Sequence, residues 1–456
     1  MRGILGWGGY VPAGRLDLAL IGSGQTGTRS VAGYDEDATT MGVAAARMTL
    51  RQASATPTVL WFATTDPPYL DRTNATAVHA ALRLDRACAA YDAVGSVRSA
   101  MGALRAALGS EEPTLVVASD LRTGRPGGAD EAAGGDGAAA LLIGSEADGP
   151  VLAEVVAMAS VSAEFLDRWR TPGANFSRLW EDRFAETVYA DLGREVLKLA
   201  LTEAGVASDE VGALVVAGLH AKAAKAVANS SGVPAGARID RLDGQVGNVG
   251  AAQPALLLAT ALEQALPGQL VVLVSLSDGA DAVVLRTTPA LAAHPNPLPV
   301  AQQLGGGSAV RYPAFLARRG MVTPEPPRRP EPARPSASAA LRNQDWKFGF
   351  VGSADTGGTI SLPPSPLDTT AVAMADRLGT IVTFTVDHLA YSPSPPVVFA
   401  VVDFDGGGRF PVELTDTDIG ELAIGARVEM TFRRLFTADG VHNYFWKARP
   451  VREKGV

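Results

Sequence analysis

Cysteine is nearly absent from this sequence, and positive charge is in the minority. Cys88 is the single cysteine among 456 residues, which excludes an internal disulfide, a CxxC zinc site and an iron–sulfur cluster. The 40 Lys and Arg residues are outnumbered by 48 Asp and Glu residues, for a net charge of −8. This balance argues against binding to nucleic acid or to an anionic membrane surface.

Long hydrophobic runs are also missing. The most apolar stretch, LVVLVSL at residues 270–276, is too short to span a bilayer. The N-terminus carries glycines and a proline in place of the apolar segment of a signal peptide. We therefore expect a soluble, cytoplasmic protein with no membrane partner.

The sequence is rich in hydrophobic residues, and its composition divides it into more than one domain. Hydrophobic residues make up 47% and charged residues 19%, so the chain can bury a large core and is not disordered as a whole. A stretch rich in Pro, Arg, Glu and Ser interrupts it near residues 322–340, as expected of an extended linker. We predict an N-terminal domain over residues 1–320, a linker over 321–342 and a C-terminal domain over 343–456.

The two domains have different patterns. In the first, β-branched runs at residues 114–119, 213–218 and 270–276 alternate with helical patterns at 186–205 and 248–265, which predicts an α/β fold. In the second, five segments alternate apolar and polar residues and are separated by turn signals, at residues 379–391, 396–404, 409–415, 426–436 and 443–451. Five short strands of this kind favour a small all-β barrel of the OB-fold type.

Few residues stand out as candidates for chemistry. His220 and Asn248 each follow a predicted strand or glycine turn, where together they could bond one substrate oxygen and stabilise an enolate. The alternative is that the histidine is merely structural and the Asn a helix cap or turn residue. Asp66 in TDPPY is a candidate acid or base, although Asp before Pro is commonly a turn former. Cys88 lies in an apolar run, where a buried and inert thiol is the usual state.

Several motifs, taken in order, resemble one known family. They are GILGWGGYVPAGRL at the start, the DEDATTM segment within residues 29–50, RPGGADEAAGGDGAAALLIG at 125–144, FLDRWR at 165–170, GLH at 218–220, SLSDGA at 275–280 and RYPAFLARRG at 311–320. Over residues 3–320 the chain resembles the archaeal and bacterial 3-hydroxy-3-methylglutaryl-CoA (HMG-CoA) synthases of the thiolase superfamily. The resemblance implies a thiolase-like duplicated layered α/β fold, with a small all-β OB-fold barrel after it.

The resemblance also implies where the family's catalytic residues fall. Its catalytic His corresponds to His220 and its oxyanion-hole Asn to Asn248. The position of its acid–base Glu is Thr65, next to Asp66, and the position of its nucleophilic Cys is Val97. Cys88 lies nine residues before that position and would need a shift of register to act as the nucleophile.

From residue 345 onward the chain resembles the OB-fold proteins that accompany such synthases. Those relatives carry CxxC pairs in a zinc ribbon, whereas this chain has Ser353, Asp355 and Thr356 there. No zinc and no other cofactor are therefore expected, only a CoA thioester as substrate.

Two hypotheses follow for function. The first is carbon–carbon bond formation or cleavage on acyl-CoA thioesters, of the acyltransferase or aldolase type, without a Cys acyl-enzyme. The second is a catalytically inactive protein that binds acyl-CoA or scaffolds an active homologue. In either case we expect a homodimer or a hetero-oligomer with another thiolase-superfamily subunit.

Overall fold

The structure is a computed structural model, and it describes residues 1–22, 24–295, 298–368 and 370–451. The strands of the N-terminal body are β1 (Arg2–Tyr10), β2 (Gly14–Asp17), β3 (Thr28–Val31), β4 (Val59–Thr64), β5 (Ala89–Val94), β6 (Thr114–Leu121), β7 (Asp136–Ser145), β8 (Ala153–Val161), β9 (Arg168–Trp169), β10 (Arg178–Leu179), β11 (Val211–Gly218), β12 (Leu270–Leu276), β13 (Ala280–Thr287) and β14 (Ser308–Ala309). Its helices are α1 (Ala38–Gln52), α2 (Ala75–Ala81), α3 (Ser99–Gly109), α4 (Ala129–Ala133), α5 (Asp182–Ala204), α6 (Ala221–Ser230), α7 (Gln253–Gln264), α8 (Val300–Leu304) and α9 (Tyr312–Arg318).

The body is built from two copies of one strand pattern. Nine strands follow the order β11-β12-β13-β8-β1-β7-β6-β4-β5. In the first half β4 and β6 are parallel while β6, β7 and β1 run antiparallel, and β11, β12, β13 and β8 repeat this arrangement in the second half. The halves meet through β1 and β8. This repeat is the duplication that the resemblance implied.

Helices cover both halves and fill the space between them. Helices α3 and α7 share one core cluster with strands of both halves, α1 and α2 cover the outer face of the first half, and α5 and α6 cover that of the second. From Gln253 to Leu262 every residue of α7 is buried, as expected of a helix in a central layer.

The C-terminal part contains the predicted barrel. Its strands are β15 (Val351–Ala354), β16 (Ile360–Ser361), β17 (Thr370–Ala373), β18 (Gly379–Asp387), β19 (Val397–Phe404), β20 (Arg409–Leu414), β21 (Arg427–Ala438) and β22 (Val441–Pro450), and its helices are α10 (Ala337–Arg342) and α11 (Gln344–Gly349). Strands β18, β19, β20, β22 and β21 close into the barrel. The last six residues of the predicted linker form α10, because the Ser336 hydroxyl accepts a hydrogen bond from the Ala339 N–H at 3.2 Å and caps an alanine-rich turn.

The segment that contains Ser353, Asp355 and Thr356, predicted to bind no zinc, is closed by hydrogen bonds. Ser353 Oγ donates to Asp368 Oδ2 at 2.7 Å, and Asp355 Oδ1 accepts from the Thr359 N–H at 2.8 Å. Among the residues that the structure describes, no group of three or more His, Cys, Asp or Glu side chains is arranged to hold a metal ion.

A buried ionic cluster joins the barrel to the body. The segment at residues 34–37, just before α1, supplies the carboxylates of the body, and the barrel supplies the cations together with Glu413 and Asp416. Arg433 pairs with Glu36 at 2.8 Å, and Lys447 pairs with Asp35 at 3.0 Å. Both cationic side chains are fully buried. The barrel is thereby held against the N-terminal end of α1.

Candidate active site

A cavity of about 410 Å³ opens where four strands end. Its walls include residues that directly follow β4, β5, β11 and β12. The segment at residues 167–177 forms another part of the walls, together with Leu70, Arg122 and Tyr189. Ligands of open α/β sheets bind at the carboxyl ends of the strands. Three of the residues selected from the sequence, Asp66, Val97 and His220, line this one cavity.

Asp66 is one of the carboxyl groups in this cavity whose pKa is shifted from its ordinary value. Burial raises the pKa of Asp66 above its usual range, and the Arg170 guanidinium, with its Nη1 3.7 Å from Asp66 Oδ1, opposes that shift. A carboxyl group whose pKa moves toward neutrality transfers protons more readily near pH 7. Asp66 therefore has the properties of a general acid or base.

His220 is oriented by the helix that follows it. It is the N-cap residue of α6, and its Nδ1 accepts a hydrogen bond from the Ala223 N–H at 3.3 Å. A ring nitrogen that accepts carries no proton, so in the neutral imidazole the proton lies on Nε2. Nε2–H is a donor suited to a developing negative charge on a carbonyl oxygen.

Val97, the residue predicted at the position of the family's nucleophile, lies in the wall of this cavity. It lies between β5 and α3, and its side chain is buried. A hydrocarbon side chain has no atom that can accept an acyl group.

Thr65 has a structural partner. Its hydroxyl donates to Asp120 Oδ2 at 2.9 Å and accepts from Arg122 Nη1 at 3.2 Å. Asp120 is fully buried and also accepts from the Thr64 hydroxyl and from the Ala251 N–H, at 2.9 and 2.7 Å. The Asp120 carboxylate therefore connects the end of β4, in the first half, with the segment before α7, in the second half.

Asn248 lies outside the observed helix α7, and it is not among the described residues that line the cavity. The prediction that a helix begins there is wrong, because the Asn248 N–H and C=O bond to Ala133 and Gly135 at 2.8 and 2.9 Å. Its Nδ2 donates to the Gly218 carbonyl at 2.8 Å and its Oδ1 accepts from the Gly250 N–H at 2.9 Å. An amide carries two N–H donors, of which Gly218 takes one.

Cys88 is remote from this site. It directly precedes β5, whereas the cavity is at the carboxyl end of that strand, so the two are separated by a strand of six residues, roughly 20 Å long. Burial, together with Asp85, raises the pKa of the Cys88 thiol. Both observations agree with the inert alternative for this cysteine.

Sequence reasoning missed three polar residues that share the cavity. Tyr189 Oη donates to Asp167 Oδ1 at 3.1 Å, and Asp278 Oδ2 accepts from the Ser96 hydroxyl at 2.6 Å. Burial raises the pKa of both Asp167 and Tyr189. The sequence signal for Asp167 and Asp278 is that they lie in the FLDRWR and SLSDGA motifs, which contribute to the family resemblance but do not by themselves indicate a chemical role.

Comparison with known proteins supports the fold of both parts. The chain is 28% identical to the HMG-CoA synthase of Pyrococcus furiosus over 293 residues, which cover 61% of this chain and 83% of that protein. It is 32% identical to the enzyme of Aeropyrum pernix over 161 residues, which cover 31% and 45%. A family model described as the ChsH2 C-terminal OB-fold domain matches residues 371–433.

Solved structures agree. MvaS in complex with HMG-CoA matches with a TM-score of 0.59 at 22% identity, covering 74% of this chain and 94% of MvaS. The 3-oxoacyl-(acyl carrier protein) synthase FabH of Pseudomonas aeruginosa matches with a TM-score of 0.56 at 22% identity, covering 63% and 98%. The N-terminal part thus has HMG-CoA synthase homologues and a thiolase-like fold, and the prediction of a thiolase-like body followed by an OB-fold barrel is confirmed. In the described part of the chain, no helix is both long and apolar enough to cross a membrane.

Proposed function

We propose that this protein acts on acyl-CoA thioesters and makes or breaks a carbon–carbon bond without a Cys acyl-enzyme, in an aldol-type reaction. The observation that carries the proposal is that one cavity is lined by His220, by Asp66 and by Val97, the residue predicted at the position of the family's nucleophile. HMG-CoA synthase homology supports the substrate class, and the missing nucleophile supports the change of chemistry.

In the cleavage direction the substrate is a β-hydroxyacyl-CoA. Asp66 as carboxylate takes the proton of the β-hydroxyl group, the Cα–Cβ bond breaks, and its electron pair moves into the thioester to give an enolate. His220 Nε2–H donates to the enolate oxygen. Asn248, which is not among the described lining residues, supports this site through its bond to the carbonyl of Gly218, two residues before His220. The proton that Asp66 took is then returned to Cα, which gives the shortened acyl-CoA, while the β-carbon leaves as the carbonyl group of an aldehyde or ketone. Condensation is the same path in reverse.

Two observations favour the alternative that the protein is catalytically inactive. Thr65 occupies the position of the family's acid–base residue and bonds to Asp120, while the Asn248 amide bonds to backbone groups. A protein of this kind would bind acyl-CoA in the same cavity without turning it over. Binding without cleavage of any β-hydroxyacyl-CoA would favour this alternative.

The covalent route has a direct test. We expect intact-protein mass spectrometry to show no acetyl adduct after incubation with acetyl-CoA or acetoacetyl-CoA. The reason is that Val97 in the cavity cannot be acylated and that Cys88, the only thiol in the sequence, is remote from the cavity. The Cys88→Ser variant should give the same spectrum. An acetyl adduct on the wild-type protein that disappears in Cys88→Ser would contradict the proposal.

The proposed step itself is tested by Asp66→Asn. With 3-hydroxyhexanoyl-CoA and HMG-CoA as substrates, we expect release of acetyl-CoA, and a kcat that is about 10²–10⁴-fold lower in the variant. The base must be ionised, so the wild-type rate should rise as the pH increases through the pKa of Asp66, which burial places above the ordinary value. The variant should lack this rise.

Asp71→Asn is the matched control, since Asp71 is exposed and does not contribute to the described walls of the cavity. Its rate and pH profile should equal those of the wild type. An Asp66→Asn variant with wild-type turnover would remove Asp66 from the mechanism.

A further inference from the structure

Three arginine side chains line the candidate active site, and two of them lie beside carboxylates. Arg168 forms an ion pair with Asp130, and Arg170 Nη1 lies 3.7 Å from Asp66 Oδ1. Arg122 differs from both, because within the part of the chain that the structure describes it forms no ion pair with a carboxylate within 4.0 Å. Its positive charge is therefore able to pair with a ligand in the cavity.

The guanidinium of Arg122 also has hydrogen-bond donors that the protein does not use. Its Nη1 donates to the Thr65 hydroxyl at 3.2 Å, which is the one side-chain hydrogen bond of Arg122 among the described residues. A guanidinium carries five N–H donors, so most of them remain for a ligand. Burial lowers the pKa of Arg122, and the charge of Asp120 opposes that shift. Because the protein replaces little of the hydration that burial removes, an oxygen ligand would stabilise this group.

Arg122 and the proposed base lie at the ends of neighbouring strands. Arg122 directly follows β6, and Thr65 and Asp66 follow β4, which runs parallel beside β6. His220 follows β11, in the other half of the body. A substrate held between the two halves therefore has one oxygen near Arg122 and Asp66 and a second oxygen near His220.

We propose that Arg122 binds the oxygen on the β-carbon of the acyl chain and stabilises the negative charge that develops there. The inference rests on the proposed function, because it assigns a residue to the second oxygen of the same substrate. As Asp66 takes the hydroxyl proton, the O–H electron pair becomes the second bond of the new C=O group, and the Cα–Cβ pair moves into the thioester. Arg122 donates to the β-oxygen throughout this step. In condensation, Arg122 polarises the carbonyl group of the incoming aldehyde or ketone.

The residue at position 65 fits this assignment. The position predicted for the family's acid–base Glu is a threonine here, and its neutral hydroxyl accepts from Arg122. A carboxylate at this position would pair with the guanidinium and cancel much of its charge. Thr65 holds the guanidinium by a hydrogen bond and leaves its charge for the substrate.

Calorimetric binding of 3-oxohexanoyl-CoA and hexanoyl-CoA tests this inference. The two esters differ only in the keto oxygen at the β-carbon, and neither has the β-hydroxyl group that retro-aldol cleavage requires. A keto oxygen accepts hydrogen bonds and cannot donate them, so at a pH where Asp66 is ionised a preference for the keto ester reports a donor and not the base. We expect the wild-type protein to bind the keto ester about 10-fold more tightly, the effect of one charged hydrogen bond.

Two variants of Arg122 connect this preference to the guanidinium. Arg122→Met should abolish the preference and leave the affinity for hexanoyl-CoA unchanged, and its kcat for cleavage of 3-hydroxyhexanoyl-CoA should fall by about 10-fold or more. Arg122→Lys keeps a cationic donor, so part of the preference and part of the activity should remain. Arg105→Gln is the control, since Arg105 is exposed on α3 and does not belong to the described walls of the cavity. It should equal the wild type in both measurements.

The possible outcomes separate this inference from the proposed function. If 3-hydroxyhexanoyl-CoA is cleaved, equal wild-type affinity for the two esters would overturn the inference and leave the proposed function intact. An Arg122→Met variant that keeps the wild-type preference or the wild-type kcat would have the same meaning. An equal loss of affinity for both esters in Arg122→Met would restrict Arg122 to supporting the cavity wall and would also overturn the inference. Failure of both esters to bind to the wild-type protein would contradict the proposed function itself.

Discussion

Replacing His220 with alanine is expected to lower kcat for cleavage of a β-hydroxyacyl-CoA by about 10²–10³-fold, the usual effect of removing an oxyanion donor. The KM for the substrate should change less, because the Nε2–H bond to oxygen strengthens as the enolate charge develops. The measurement is steady-state release of acetyl-CoA. An alanine variant with unchanged turnover would show that the cavity is not the site of this chemistry.

A matched pair of variants separates catalysis from folding, since His220 also caps α6. His220→Asp keeps an oxygen that can accept from the Ala223 N–H but offers no donor, so it should fold with a wild-type thermal midpoint and remain inactive. His220→Asn can accept the same bond and also donate, so part of the activity should return. Equal activity in these two variants would restrict His220 to the helix cap.

The largest expected effect on stability belongs to Arg433. Its guanidinium is fully buried and lies near three carboxylates, with Glu36 at 2.8 Å, Asp416 at 2.7 Å and Asp35 at 3.8 Å. Arg433→Ala removes the positive charge that compensates these carboxylates and leaves them buried. We therefore expect the free energy of unfolding to fall by about 3–5 kcal/mol, measured by chemical denaturation.

Arg427→Ala is the matched control on the same strand. Arg427 pairs with Asp405 at 2.5 Å, but both side chains are largely exposed, and such pairs contribute little to stability. Its unfolding curve should nearly overlay that of the wild type. If Arg433→Ala is no less stable than Arg427→Ala, then the cluster does not hold the barrel to the body.

The sequence predicted those parts of the fold whose signals are local. Strand β12 matches the apolar run at residues 270–276, and α5 ends at Gly205 in the left-handed conformation expected there. The five barrel strands follow the alternating segments within a few residues. In each case the residues that set the structure lie within the element itself.

What could not be predicted depends on contacts between distant segments. The sequence pattern predicts a helix that begins at Asn248, but the backbone of Asn248 forms hydrogen bonds with Ala133 and Gly135. The cavity combines Asp66, Asp167 and Asp278, which come from separate loops, and no spacing in the sequence shows that these loops meet. The pairing of Arg433 with Glu36 could not be predicted either, because the two residues belong to different predicted domains.

The covalent connection between the two parts has a consequence for the ionic cluster that joins them. Residues 321–336 form neither helix nor strand, so the barrel is tethered to the body by an irregular segment. A short tether gives the tethered partner an effective concentration on the order of mM, whereas the burial of ion pairs adds little net affinity. As separate subunits at micromolar concentration, the same two surfaces would depend on the apolar residues of both parts that pack in one core cluster. Within one chain, the tether keeps Arg434 of the barrel beside Asp37 of the body, at 3.6 Å.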